Sequence, residues 1–322
     1  MKWIDVFNGD ADGICALHQL RLHEPQPEAR LISGVKRDIS LLQQLETVQD
    51  SSITVLDISL EKNRDSLMQL LSQGNKLLYV DHHFAGEVPH HDKLTVHIDP
   101  EPQLCTSLII NWMLEDKYAP WAVVGAYGDN LDESARELAQ KLGLTGLEQL
   151  RETGILLNYN GYGASLADLF FHPAELYRQV RLYSDPLAFH ADSPALKTLR
   201  KGYQDDMNQA KAAAPLHEDS SGRIFRLPPE SWARRVSGVF ANAVANERPD
   251  LAHAMLTENQ DGSLLVSVRA PLLNRNGADT LCRQFPSGGG RAAAAGINAL
   301  PEAQLDAFIQ AFSQQFKKQQ LF

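Results

Sequence analysis

The stretch WIDVFNGDADGICAL (3–17) decides the fold. WIDVF is an apolar run of strand length, and GDADG is an acidic turn that ends it. The segment from Asp12 to His23 has a helical pattern, with Ile14, Leu17 and Leu20 on one side. The same alternation continues downstream. RLISGV (30–35), SITVLD (52–57), KLLYVD (76–81) and LTVHID (94–99) are further strand candidates, and Leu60–Leu71 is helical with Arg, Lys and Glu on its outer face. Strand and helix in alternation predict a parallel sheet covered on both faces. Two helical segments follow, around Thr106–Leu114 and Trp121–Leu142.

Past this region the pattern changes. Residues 194–211 are charged and helix-like and run into AAAPLHEDSSG (212–222), the best linker candidate. RIFRL, a helical stretch around Ser231–Asn246, then AHAMLTE and SLLVSVRAP as strands come next. A glycine-rich turn, SGGGRAAAAGIN (287–298), leads to a last helix. The expected organisation is an α/β parallel-sheet domain over 1–192, a helical connector and linker over 193–222, and a smaller α+β domain over 223–322. The length of 322 residues agrees with about two domains at roughly 150 residues each.

Composition narrows the function classes. With 43% hydrophobic and 22% charged residues, the chain is an ordinary globular one, not disordered, collagen-like or disulfide-stapled. A net charge of −10 argues against coating duplex DNA, where phosphate contacts require a basic surface. Cys15, Cys105 and Cys282 are far apart and form no CxxC, which fits a reducing compartment. The N-terminal residues contain no signal-peptide core, and no run approaches the ~20 apolar residues that span a bilayer. The expectation is a cytoplasmic protein with no membrane partner.

The acids are placed systematically. Asp10 and Asp12 follow the first strand candidate, and Asp57, Asp81 and Asp99 close three others. In an open parallel sheet these positions converge on one rim, where ligands bind. Carboxylates crowded there need a cation or must take up protons. Asp81 is followed by His82 and His83, and five of the 11 histidines fall between 82 and 97. Mixed carboxylate and imidazole ligation suits Mn, Fe, Co or Zn. Asp129, ending an apolar segment, adds one more acid. Any single Asp after a strand is ordinarily a turn residue or helix cap. His90 and His91 beside Pro89 read as loop surface, and His97 as a strand histidine. The ordered ensemble carries the argument.

NGDADGICAL, VLDIS, YVDHHFAG and AYGDN together resemble the DHH phosphoesterase superfamily, and SVR (267–269) with SGGGRAAAAGIN resembles its DHHA1 substrate-binding domain. The length looks like the short nano-RNase branch, without room for the extra domains of the single-strand exonucleases. The resemblance implies two divalent cations, manganese foremost. Asp10 would bind one and Asp12 the other, Asp57 would bridge, and His82 and Asp129 would complete the second. Asp81 would orient the motif or contribute to the site, and His83 would face the substrate phosphate. Many relatives carry a His ligand two or four residues before the first Asp. Here those positions are Asn8 and Val6, and an amide oxygen from Asn8 is a weaker ligand.

In the C-terminal domain, Gly288, Gly289 and Gly290 would let the backbone approach an anion, with Arg291 and Arg269 as phosphate contacts. Thr106 and Ser107 read either as a helix cap or as a phosphate contact. The expected activity is hydrolysis of short oligonucleotides or linear dinucleotides (pGpG or pApA type) to nucleoside monophosphates. Two alternatives stand beside it: a phosphomonoesterase or polyphosphatase, and a catalytically weak nucleotide sensor. Self-association into a homodimer is left open.

Overall fold

The computed structural model describes residues 2–259 and 261–317. It divides into two units, 1–202 and 203–322. The division falls inside one helix and within the expected connector 193–222.

The first unit is built on five strands: β1 (Lys2–Phe7), β2 (Arg30–Ile32), β3 (Ser51–Leu56), β4 (Lys76–Asp81) and β5 (Leu94–Ile98). All pair in parallel, in the order β2-β1-β3-β4-β5. Alternation along the strands sorts their side chains. Ile4 and Val6 of β1, Ile53 and Val55 of β3, and Leu77 and Tyr79 of β4 share one core with leucines of the 41–45 turn and of helix 60–72. Asp5 and Phe7 have the opposite parity. Asp5 meets Arg21, and Phe7 packs on Tyr177. RLISGV yields a three-residue strand, because the chain leaves the sheet at Ser33, whose hydroxyl donates to the Phe7 carbonyl.

Among the described residues, the helices α1 (Ala11–His23), α2 (Leu60–Ser72), α3 (Thr106–Met113), α4 (Ala119–Gly128), α5 (Asp132–Lys141), α6 (Leu147–Gly161), α7 (Pro173–Val180), α8 (Pro186–Asp192) and α9 (Pro194–Ala212) surround this sheet or extend from it. Residues 11–21 of α1 are buried, yet several are polar, so each needs a partner. His18 bonds the Tyr183 carbonyl at 2.8 Å, Gln19 donates to the Ser107 carbonyl at 3.1 Å, and Arg21 grips Asp5 at 2.5 Å and Thr54 at 2.9 Å. The expected helix over 121–142 is two helices. Asn130 sits at φ +62°, and the Leu131 N–H reaches back to the Ala126 carbonyl at 2.9 Å, closing α4 with a left-handed cap. That break places Asp129 at a helix end.

The second unit holds β6 (His217–Glu218), β7 (Gly222–Leu227), β8 (Ala252–Glu258), β9 (Leu264–Arg269), β10 (Gly288–Gly290) and β11 (Ala294–Leu300), in the order β10-β11-β9-β8-β7-β6. β7 and β8 are parallel, and the other pairs are antiparallel. α10 (Ser231–Glu247) connects the parallel pair. α11 (Ala278–Cys282) and α12 (Leu305–Phe316) cover the sheet through Leu281, Phe308, Phe312 and Phe316. The stretch expected as a linker, 212–222, contributes β6. The stretch expected as a glycine-rich turn, 287–298, is a hairpin, β10 and most of β11. Gly288 is required there by a close backbone approach: a Cβ on it would lie 1.8 Å from the Cys282 carbonyl oxygen.

No helix among the described residues is long and apolar enough to cross a membrane.

The Asp5–Arg21 pair is buried on both sides. Replacing Arg21 by Met strands an uncompensated carboxylate and should cost about 3–5 kcal/mol of unfolding free energy in urea. A loss under about 1 kcal/mol would show that the pair contributes little.

Candidate metal centre

The strand order reverses between β1 and β3, and in open α/β sheets the crevice outside that point is where ligands bind. The acidic turns after both strands meet there. Asp10, Asp12 and Asp57 are each about 2% exposed or less. Asp10 caps α1 with Oδ1, which accepts the Gly13 N–H at 3.0 Å. Asp12 spends both oxygens on the start of α3, accepting the N–H groups of Thr106 at 2.8 Å and Ser107 at 2.7 Å. Thr106 and Ser107 are therefore capped by a carboxylate from another helix. Asp57 stands at φ +58°, a left-handed conformation that Asp tolerates better than most residues, and accepts weakly from the Thr106 hydroxyl at 3.4 Å.

The histidines are set by their other ring nitrogens. His82 bonds the Leu104 carbonyl through Nδ1 at 3.0 Å. A carbonyl only accepts, so Nδ1 carries the proton and Nε2 presents its lone pair in neutral His82. That Nε2 is 3.5 Å from Asp57 Oδ1 and 3.9 Å from Asp129 Oδ2. His83 bonds Asp81 Oδ1 through Nδ1 at 2.7 Å, and its side chain is 44% exposed. Asp81 is wholly buried, with Oδ2 unpartnered. Asp57, His82 and His83 each offer a ligand atom, all within 4.8 Å of one another.

Sequence reasoning missed Lys36. Its Nζ lies 2.5 Å from Asp10 Oδ2, 3.2 Å from Asp129 Oδ1 and 3.3 Å from Asn158 Oδ1. Asn158 in turn donates to the Tyr162 hydroxyl at 2.9 Å. The only signal in the chain was a lysine just past the second strand candidate, the neighbour of β1 on the same rim. Asn8 is buried; its amide donates to the Lys36 carbonyl at 3.3 Å, and Oδ1 has no hydrogen-bond partner.

Charge follows geometry. Burial alone would raise the Asp10 pKa, but the charge and hydrogen bond of Lys36 reverse this and hold it below the usual range. Burial works against the Lys36 charge, and Asp10 and Asp129 overcome it, so its pKa stands well above the ordinary value. Asp57 has no such counterion. Burial, then the charges of Asp10, Asp12, Asp129 and Asp81, push its carboxyl well above the usual range. Asp129 is raised too, mainly by burial. His83 is raised by its bond to Asp81. A divalent cation fits the Asp57 side: excess negative charge, the imidazole lone pair of His82 and the unpartnered Asp81 Oδ2 belong to it.

The remaining candidates lie elsewhere. Asp99 closes a local turn on the Glu101 N–H, His91 accepts the Lys93 N–H, His90 is exposed, and His97 is in the edge strand β5. In the second unit, Arg269 ends β9, bonded to Asn242 and Ser267, and pairs in register with Ala294 beside the exposed Arg291 turn. Gly288 and Gly290 serve packing, since a Cβ on Gly290 would meet Ala295, whereas a Cβ on Gly289 would meet nothing.

Residues 221–318 match the DHHA1 domain family. The manganese-bound structure of exonuclease RecJ aligns over 99% of this chain and 91% of its own, at 17% identity and a TM-score of 0.61. The second unit carries a DHHA1 domain, and the chain shares its fold with exonuclease RecJ. RecJ of Thermus thermophilus in complex with Mn2+ aligns with this chain over 97% of its residues but only 52% of the exonuclease, at 19% identity and a TM-score of 0.61. The pGpG-specific phosphodiesterase PggH of Vibrio cholerae aligns over 98% of this chain and 99% of its own, at 13% identity and a TM-score of 0.55. At these identities the likeness is one of fold. No curated protein matches the chain by sequence.

Asp57→Asn should act oppositely with and without metal. In chelator at pH 8 it removes a crowded carboxylate and should raise the thermal midpoint. With manganese added, the wild type should gain stability and the variant should gain little. A variant stabilised by manganese as much as the wild type would remove Asp57 from the centre.

Proposed function

We propose that this protein is a DHH-type phosphoesterase, a divalent-metal-dependent phosphodiesterase that cuts short oligonucleotides, linear dinucleotides foremost, to nucleoside monophosphates. The observation that carries this reading is the grouping of Asp57, His82 and His83 at the point where strand order reverses, with the Asp81–His83 pair beside it. The fold shared with a pGpG-specific phosphodiesterase over nearly the whole of both chains supports the short-substrate, nano-RNase reading.

Asp57, His82 and Asp129 are the residues to hold an ion, with manganese preferred for this mixture of oxygen and imidazole donors. A divalent ion there supplies Lewis-acid polarisation of the phosphoryl oxygen and a nucleophile at neutral pH. The protein does the rest. The Leu104 carbonyl fixes the ring of His82. Asp81 fixes the ring of His83 and favours its protonated form, so that Nε2 can donate to a phosphoryl oxygen or to the departing alkoxide. Asp12, committed to α3, anchors the loop that carries Thr106 towards Asp57. In the DHHA1 unit, Arg269, Arg291 and the Gly288–Gly290 strand are the elements to bind the rest of the substrate, with Gly289 the glycine where backbone access is open. A substrate of a few nucleotides needs no basic duplex-binding face, which suits the net charge of −10. The three unpaired cysteines suit a cytoplasmic setting.

A panel of 5′-phosphorylated dinucleotides, longer oligomers, pyrophosphate and nucleoside 3′,5′-bisphosphates with Mn2+ tests this. Mononucleotides released fastest from dinucleotides are expected, with His83→Ala slower by roughly 10²–10⁴-fold. Free phosphate from bisphosphates or pyrophosphate would make it a phosphomonoesterase or polyphosphatase. Binding without turnover would make it a sensor.

A further inference from the structure

We propose that the ammonium of Lys36 takes the place of one of the two divalent cations that the motifs imply, so that the centre binds a single divalent ion on its Asp57–His82 side. This rests on the metal-centre reading above and goes beyond it.

The Lys36 ammonium has three N–H donors and three acceptors within reach: Asp10 Oδ2, Asp129 Oδ1 and Asn158 Oδ1. Two of these are carboxylates that the motifs assign to metal. On the Asp10 side every carboxylate oxygen of Asp10 and Asp12 already accepts a hydrogen bond. Asp10 Oδ1 is on the Gly13 N–H and Oδ2 on Lys36, and Asp12 holds the start of α3 with both oxygens. The acceptor there with no hydrogen bond at all is the neutral amide oxygen of Asn8. An ion in that place would also face the ammonium at close range, a like-charge contact in a buried site.

The lysine is held from both sides of its backbone. Its N–H donates to the Gly161 carbonyl at 2.9 Å, and its carbonyl accepts the Asn8 amide at 3.3 Å. The preceding N–H, of Val35, is bonded to Asp38 at 3.1 Å. The segment lies so close to the acidic turn that a Cβ on Gly9 would fall 2.0 Å from the Gly34 carbonyl oxygen. Asn158, the third acceptor, is itself fixed by Tyr162, whose ring lies 5.8 Å from Nζ. At Asn8, where the resemblance implies a histidine ligand, this chain has an amide that anchors the lysine backbone. On the other side, Asp57, His82 Nε2, His83 and Asp129 Oδ2 face no ammonium in hydrogen-bond contact, and an ion has its donors there.

An ammonium supplies charge and N–H donors but no open coordination positions. The centre then combines one Lewis acid with one fixed cation.

Manganese stoichiometry, by metal analysis after gel filtration with electron paramagnetic resonance on the same samples, tests this without reference to activity. The wild type should retain one Mn2+ per chain, with the hyperfine sextet of an isolated ion. Lys36→Met should retain two, with the broadened spectrum of a coupled pair, and Lys36→Arg should stay at one. Two coupled ions in the wild type would overturn the inference and show that Lys36 swings away on loading. An unchanged count of one in a folded Lys36→Met would overturn it as well. No retained manganese in any of the three would be a different failure, that of the metal centre itself.

Discussion

Crowding of carboxylates at one rim of a parallel sheet is the constraint on which the rest of this structure depends. Asp10, Asp12, Asp57, Asp81 and Asp129 come from four strand or helix ends and are mostly buried. Like charges at such range repel strongly where water is excluded. Each acid therefore has its own device. Asp10 has Lys36 and the start of α1, Asp12 has two backbone N–H groups at the start of α3, and Asp81 has His83. Asp57 has no cation of its own: it shares a hydrogen bond with Asp10, a long contact with the Thr106 hydroxyl and the approach of His82, and its carboxyl is pushed well above the usual range. The residue least served by the protein is the one placed to receive a cation.

The scaffold explains why these groups meet. Parallel pairing brings the exits of β1, β3 and β4 to one side, and the reversal of strand order between β1 and β3 opens a crevice there. Two backbone devices then aim the side chains. The left-handed turn at Asp57 directs its carboxyl, and the left-handed cap at Asn130 ends α4 so that Asp129 sits at a helix terminus instead of within a helix. The DHHA1 unit carries its own core of phenylalanines and brings Arg269 and Arg291 to one end of its sheet.

Much of this was legible in the sequence, for local reasons. The five strands of the first unit each carry their own apolar run, and the acids follow those runs directly, so the order GDADG, LD, VDHH could be read as a rim. Elements that depend on distant contacts were not legible. The break at Asn130 is a backbone conformation inside a helix-like pattern. The glycine-rich stretch looked like a turn because Gly288–Gly290 and Ala294–Ala295 have low strand propensity; they form strands by pairing with each other and with β9, and Gly288 and Gly290 sit where there is no room for a Cβ. Lys36 and Asn158 belong to no motif, lie 122 positions apart, and gain meaning only through the acids they meet.

The most direct measurement is anomalous scattering at the manganese edge from crystals grown with Mn2+. The account predicts a peak bounded by Asp57 and the Nε2 of His82, with the Lys36 ammonium still against Asp10. A map with no peak at that rim, or with manganese only at sites remote from these side chains, would contradict it.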